Sequence, residues 1–295
     1  IVGDDPMGYM VENHHILSNL LSLVNNNKNI NLISPAKWTS IDEQTNFITT
    51  NLDNGQSIES NLLIVADGKF SKTRDHFGFK CLNHNYNQNG IVCTIKHEKH
   101  HNFLAQERFL PTGPFAILPL KGGHHSSLVW VEKPELAKIY IDLEKNDIEQ
   151  QITKRVGTYL GKIELTSKCF SYPLILKNAH HYIKNRVLLA GDAAHGIHPL
   201  AGQGYNLGIR DINVIYDIIK NSLNTGQDIG DTASLKDYEK LRNFDSLTMI
   251  TITQSLNYLF LNKNFLIKTA RRLGLKMVNS SKHAKKLLIQ HAMGT

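Results

Sequence analysis

The sequence contains no apolar run approaching the roughly 20 residues that a membrane-spanning helix needs, and no signal-peptide pattern is visible in it. It has only three cysteines in 295 residues, Cys81, Cys93 and Cys169. They are odd in number, far apart and outside any CxxC spacing, so neither a disulfide framework nor a zinc site is indicated, and a reducing cytoplasm is the expected setting. The histidines His180, His181, His195 and His198 lie in no HExxH pattern and have no carboxylate ligand set nearby, so no metal is expected. Net charge is +7 with a pI near 9.1, but the cations are spread along the chain and become denser only from Lys263 through Lys286. No aromatic-rich module accompanies them, which excludes nucleic acid as the expected partner. A strand–GxGxxG–helix unit is missing too. The nearest text, Gly202, Gly204 and Gly208, is spaced GxGxxxG and lies about a dozen residues past its strand rather than directly on it.

What is present is a chain with 41% hydrophobic residues, enough for one large domain or two ordinary ones. Its most informative stretch runs from Arg186 to Asp211. Val187, Leu188, Leu189 and Ala190 read as a buried strand that ends at Gly191 and Asp192, which displays a carboxylate at the strand's carboxyl end. A turn with His195, His198 and Pro199 follows. Gly202 and Gly204 then open a helix whose apolar positions Leu207, Ile209, Ile212, Tyr216 and Ile219 recur at helical spacing. A helix that starts in a glycine turn presents free backbone N–H groups and the positive end of its dipole, which suits a phosphate or the anionic edge of a reduced flavin. Asp192 suits a sugar or ribityl hydroxyl. His195 and His198 are expected to shape the turn. A second carboxylate, Asp67, ends the apolar run Leu62–Ala66, with Gly68 after it, Ser71 as a candidate helix N-cap and Arg74 in the first turns. Capping chemistry alone allows a plain turn with an Asp67–Arg74 contact.

The stretch Gly191–Asp211 resembles the second flavin-binding motif of the FAD-dependent aromatic hydroxylases, most closely their ubiquinone-biosynthesis branch. LLIVADGKFSKTR, Leu62 to Arg74, is similar to that family's DGxxSxxR motif, and ERFLPTGPFAILPL, Glu107 to Leu120, to its substrate-domain strands. The resemblance runs through nearly the whole chain. It implies an α/β, aromatic-hydroxylase-type FAD-binding fold, incomplete at the N-terminus because the family's opening GxGxxG unit is not found. It also implies an inserted antiparallel-sheet substrate domain and a helical C-terminal tail. The implied division is 1–78 flavin-domain segment with an associated ribbon, 79–180 substrate domain, 181–225 flavin-domain segment and 226–295 helical region. The implied cofactors are FAD and NAD(P)H, and the implied reaction is hydroxylation of a polyprenylated phenol by O2. By residue-wise match, the cofactor-binding candidates are Asp67, Gly68, Arg74, Gly191, Asp192, Pro199, Gly202, Gln203, Gly204 and Asn206. Asp67 and Arg74 are placed at FAD and at the nicotinamide cofactor's pyrophosphate, and no catalytic base is named. Alternatives are an inactive relative serving as a subunit or scaffold of a biosynthetic complex, and a related flavin epoxidase or halogenase.

Elsewhere, Asp5–Val24 reads as a packed helix with Asn13 as a candidate cap and Ile16, Leu17, Leu20, Leu21 and Val24 on one face. Short strands are expected at Ile30–Ser34, Lys37–Ile41 and Phe47–Leu52, with a hairpin turn at Asp53–Gly55. Strands recur at Gly90–Lys96, Arg108–Leu110, Ala116–Leu120, Ser127–Trp130 and Phe170–Leu176. Helices are expected at Pro134–Tyr140 and Asp147–Leu160, the second aligning Ile148, Ile152, Val156 and Leu160. The tail reads as helices from Leu235 through Ile267 and Leu287. There Leu256, Leu259, Phe260, Phe265 and Leu266, with Lys263, Lys268, Arg271 and Arg272, form either a packing stripe or a basic amphipathic surface for lipid at the membrane's inner face or for other ubiquinone-biosynthesis proteins.

Overall fold

The computed structural model describes residues 8–262, 264–283 and 285–286. Helix α1 (Asn13–Asn25) has the expected spacing but buries none of its residues, and Leu17, Leu20 and Leu23 are exposed. An apolar stripe specifies a helix able to pack without specifying what covers it. Asn13 is the first helical residue rather than the cap; Glu12 holds that position without a side-chain bond. The expected start at Asp5 lies outside the described residues. An antiparallel ribbon follows, β1 (Trp38–Glu43), β2 (Ile48–Leu52) and β3 (Ser57–Ser60), with Gly55 at φ 84° in the second turn. No strand forms at Ile30–Ser34, where Ile30 and Leu32 are exposed and Pro35, lacking an N–H, ends any ladder.

Next come β4 (Leu63–Val65), α2 (Lys72–His76), β5 (Cys81–His97), β6 (Gln106–Leu110), β7 (Gly113–Pro119) and β8 (His125–Glu132). Then α3 (Pro134–Ile141), α4 (Lys145–Val156), β9 (Ile163–Leu165) and β10 (Phe170–Ala179) lead to β11 (Ile183–Lys184) and β12 (Val187–Leu189). The chain closes with α5 (Asp192–His195), a 3-10 turn (Leu200–Gly202), α6 (Gly204–Asn224), α7 (Thr232–Leu261) and α8 (Phe265–Ser280). A six-stranded sheet is ordered β10-β5-β8-β7-β6, with β9 paired to β5, and a three-stranded sheet is ordered β11-β12-β4.

The chain divides into two compact units, with breaks at 30/31, 86/87, 173/174 and 255/256, against the 78, 180 and 225 read from the sequence. The unit containing Asn87–Pro173 packs α4 on the large sheet. Ile148, Ile152, Val156 and Leu160 are buried with Ile91, Ile95, Phe115, Ile117 and Leu128. The stripe is the one expected, but the helix stops at Gly157, whose φ of 78° suits glycine, so Leu160 reaches the core from the following turn. The unit containing Asn31–Tyr86 and Leu174–Ser255 has its core around Ile48, Val65, Tyr182, Val187–Ala190, Ala193, Ala194 and Tyr238. Every residue singled out for cofactor binding belongs to this second unit.

In the tail, Asn262 and Asn264 break the helical run. Asn264 caps α8 by accepting the Leu266 N–H at 2.8 Å. Lys263 and Leu287 lie outside the described residues. Helix α8 buries none of its residues.

Candidate functional site

Strands β4 and β12 are parallel neighbours, with Leu63, Ile64 and Val65 opposite Val187, Leu188 and Leu189. Both therefore deliver their turns, Asp67–Gly68 and Gly191–Asp192, to the same edge, the carboxyl ends of a parallel pair, where open α/β sheets bind ligands. The Ala190 N–H donates to the Val65 carbonyl at 2.9 Å, the last rung before the turns diverge.

At the end of β12, Gly191 adopts φ 59°, ψ −141°, a conformation strained for any side chain. Its N–H donates to Asp211 Oδ2 at 2.7 Å, and its carbonyl accepts from Ala194 and His195, both at 2.9 Å, winding the single turn of α5. Asp192 is left exposed, and among the described residues its carboxylate has no hydrogen-bond partner. Pro199 and Gly202 (φ 63°) bring the chain round to α6, whose N-cap position is Gln203, with no side-chain cap bond. The N–H groups of the first turn, from Gly204 through Asn206, consequently face outward with the positive end of a 21-residue helix. The Asn206 amide donates to Gln203 Oε1 at 3.1 Å, which ties the two candidate side chains to each other.

Asp211 holds this turn, and sequence reading did not single it out. It is fully buried and accepts from Gly191 N–H, His195 Nε2 at 2.7 Å and Arg242 Nε at 2.6 Å. Burial alone would raise its pKa, but the hydrogen bonds from His195, Arg242 and Gly191 outweigh that and hold the carboxyl below the usual aspartate range. Arg242 in turn binds Asp245 at 2.7 Å and the Leu207 carbonyl at 3.2 Å. The inward face of α6 is thus Leu207, Asp211, Ile215 and Ser222; of the expected stripe, Leu207 is buried and Ile219 packs partly buried against the core, whereas Ile209, Ile212 and Tyr216 are exposed. Both rows have helical spacing. The row that contains a carboxylate turned inward because three donors satisfy it there. A charged residue spaced at i+4 between Leu207 and Ile215 was the one available signal.

His195 and His198 shape the turn as expected, and both are buried. His195 donates through Nε2 to Asp211, leaving its Nδ1 without a partner. His198 accepts the Leu200 N–H on Nδ1 at 3.1 Å, so its Nε2 carries the proton and is also unpartnered. The Tyr86 ring meets the His198 ring edge-on at 4.7 Å. Burial first, and the Lys69 charge second, push the His198 pKa down to about 4, so the ring is neutral at physiological pH.

The turn after β4 is fastened differently. Asp67 accepts from Thr73 Oγ1 at 2.9 Å and Thr73 N–H at 3.3 Å, and Thr73 Oγ1 itself accepts from Trp38 Nε1 at 3.0 Å. Gly68 sits at φ 86°, and Ser71 caps α2 by accepting the Arg74 N–H at 2.9 Å, as its position suggested. The placement of Arg74 at a cofactor pyrophosphate needs correction, and the contact between Asp67 and Arg74 is not made. Arg74 is fully buried, donating to Lys69 O at 3.1 Å, Ala193 O at 3.0 Å and, from Nε and Nη2, to Asp75 Oδ1 at 3.1 Å. It clamps one turn to the other from beneath.

These residues fit FAD. A side chain added at Gly68, Gly191, Gly202 or Gly204 would meet no atom within 4 Å, so backbone there is open to a ligand. Asp192 is a free acceptor for hydroxyls, the start of α6 is a free set of donors for an anion, and the turn carries orphaned buried histidine nitrogens. Residues 39–243 match the FAD binding domain family. The chain belongs to the FAD-dependent aromatic hydroxylases, in their ubiquinone-biosynthesis branch. It is 39% identical over 290 residues to ubiquinone hydroxylase UbiL of Rhodospirillum rubrum, covering 98% of this chain and 67% of that protein. It is 31% identical to the mitochondrial ubiquinone biosynthesis monooxygenase COQ6 of Dictyostelium discoideum, covering 98% of this chain and 68% of that one. The fold is that of the p-nitrophenol 4-monooxygenase PnpA crystal structure from Pseudomonas putida, with TM-score 0.77, 16% identity, and 95% and 72% of the two chains covered. This hydroxylase is a monooxygenase by family, with FAD as its cofactor and NAD(P)H as the family's usual reductant. Among its described residues no helix is long and apolar enough to cross a membrane.

Proposed function

We infer that the chain hydroxylates a polyprenylated phenol in ubiquinone biosynthesis, consuming O2 and NAD(P)H. The observation that carries this reading is the glycine turn pinned by buried Asp211, with free Asp192 before it and the uncapped start of α6 after it. When bound, FAD supplies the electron transfer and oxygen activation. The chain's own residues bind and orient. Asp192 accepts from ribityl hydroxyls. The backbone of Gly202, Gln203 and Gly204 presents N–H groups and a helix dipole to the anionic edge of a reduced ring, with Pro199 and Asn206 flanking it. Asp67 and Gly68 supply a second approach from the neighbouring strand end, and Arg74 acts as a positioning residue for both turns. The neutral His198 keeps an N–H available in the buried turn.

The test is an FAD titration of the purified chain followed by flavin fluorescence, then NAD(P)H oxidation and product analysis with polyprenylphenols. Saturable quenching and an oxygen inserted into the ring are the expected results. Absence of hydroxylated product from an FAD-loaded protein removes the reading.

Helix α8 supports contact with an anionic membrane surface, where such substrates reside. Phe265, Leu266, Leu273 and Met277 are exposed alongside Lys268, Arg272 and Lys276, and the sequence from Ser246 to Thr295 holds no Asp or Glu. Co-sedimentation with anionic but not zwitterionic vesicles, reversed by salt, is expected; equal recovery with both overturns the charge argument.

A further inference from the structure

Cysteines 93 and 169 are 76 positions apart in the sequence, where nothing links them. The fold brings them together. Cys93 lies on β5 with its side chain in the core row Ile91, Cys93, Ile95, and Cys169 packs against that same cluster just before β10 begins. The backbone around them is stitched on both sides: Thr94 N–H donates to Ser167 Oγ at 2.8 Å and Thr166 N–H to Thr94 O at 2.9 Å, while β9 pairs with β5 from Leu165 opposite Ile95. Their thiols lie near enough for each to shift the titration of the other, Cys93 upward and Cys169 downward. Cys93 is nearly sealed, whereas Cys169 is half-buried and reachable from solvent.

We propose that Cys93 and Cys169 form a peroxide-sensitive dithiol, a modification site that hydrogen peroxide closes into an intramolecular disulfide tying β5 to the β9–β10 connection. Cys169 is the attacking group. It is the thiol that solvent reaches, and the neighbouring Cys93 lowers its pKa against the opposing effect of burial, while the pKa of sealed Cys93 is raised by Cys169 and by burial. The Cys169 thiolate displaces water from peroxide and becomes a sulfenic acid. The Cys93 sulfur then attacks the Cys169 sulfur, the S–S bond forms, the S–O bond breaks and a second water leaves with the Cys93 proton. Two thiols lose two hydrogens in total, and one peroxide is reduced to two waters. Cys81 has no thiol partner among the described residues and donates only to the Phe79 carbonyl, so it stands outside the pair.

The experiment treats the purified, reductant-free chain with hydrogen peroxide, unfolds it, alkylates the remaining thiols and maps peptides without reduction. The expected result is a fall from three alkylatable thiols to one, in a monomeric chain that has lost two hydrogens, with the Cys93 and Cys169 peptides linked. Cys81→Ser should keep the two-thiol loss. Cys93→Ser should stop at a sulfenic acid on Cys169 that dimedone traps, an outcome mere packing of two cysteines does not produce. Three thiols surviving peroxide, a disulfide between chains, or oxygen added to Cys169 while Cys93 of the wild type stays alkylatable would each overturn the proposal. None of these readouts depends on bound FAD or on hydroxylase activity.

Discussion

The turns after β4 and β12 begin alike, each an apolar parallel strand running into aspartate and glycine, yet their carboxylates do opposite work. Asp67 is bonded to Thr73 and is part of the turn's own scaffold. Asp192 is left free because a different carboxylate, Asp211, arrives from helix α6 to hold the turn in its place. A turn that must present a carboxylate to a ligand needs its structural hydrogen bonds supplied from elsewhere. That division of labour orders the expected effects of substitution.

The largest belongs to Asp211. Removing it strands the buried Arg242 guanidinium and the His195 ring and frees the Gly191 N–H, so Asp211→Ala should cost about 3–5 kcal/mol, measured by urea unfolding. Asp67→Ala, which removes an exposed acceptor of two Thr73 hydrogen bonds, should cost about 1 kcal/mol. Equal losses at the two positions would erase the distinction between the turns.

His198 comes next, and its effect is a pH dependence. Its folded pKa of about 4 lies below the unfolded value near 6.5, so the unfolded chain takes up the proton first. The stabilisation is complete above about pH 6.5 and is lost progressively as pH falls toward 4, by roughly 3 kcal/mol. Asp211, also depressed, loses its contribution only at lower pH, as the medium falls below the ordinary aspartate range of about 3.9. Unfolding free energy followed from pH 7 to 4 should therefore decline in the wild type, and His198→Asn should flatten that limb. A variant with the wild-type slope would assign the limb to other groups.

Arg74 sharpens the comparison from the other side, since it bonds carbonyls of both turns. Arg74→Met keeps most of the volume but leaves Lys69 and Ala193 carbonyls unpaired, at about 2–3 kcal/mol. If Arg74 only positions, FAD and NAD(P)H affinities should fall together. A selective loss in the rate of NAD(P)H-driven flavin reduction, with stability unchanged, would return it to the nicotinamide cofactor.

Much of this was legible in the sequence, for a physical reason. Strands β4 and β12, the glycine start of α6 and the Ile148–Leu160 stripe are fixed by contiguous apolar runs, conformational demands on glycine and local spacing, all of which act within a few residues. The site's own support was not, because Asp211 is buried only when Gly191, His195 and Arg242 converge on it, and Arg242 lies 31 residues away. The same limit explains the partly rotated face of α6, the unexpected burial of Arg74 and the proximity of Cys93 and Cys169. Each depends on partners that meet only in the fold. Helix α1 shows the reverse case, a clear stripe left exposed.

Asp192 should show the smallest effect on stability. Its carboxylate is exposed and has no partner among the described residues, so Asp192→Ala should shift the unfolding free energy by no more than about 0.5 kcal/mol. The same change removes an acceptor for ligand hydroxyls, and charge-assisted hydrogen bonds of that kind make the FAD dissociation constant rise by about tenfold or more. Asp192→Asn, which keeps an oxygen acceptor without the charge, should fall between. Asp211→Asn supplies the opposite pattern, a large loss of stability with weaker FAD binding as its consequence. An Asp192→Ala protein that binds FAD like the wild type would show that the free carboxylate is not the ligand group, and the turn's backbone and the start of α6 would then carry recognition alone.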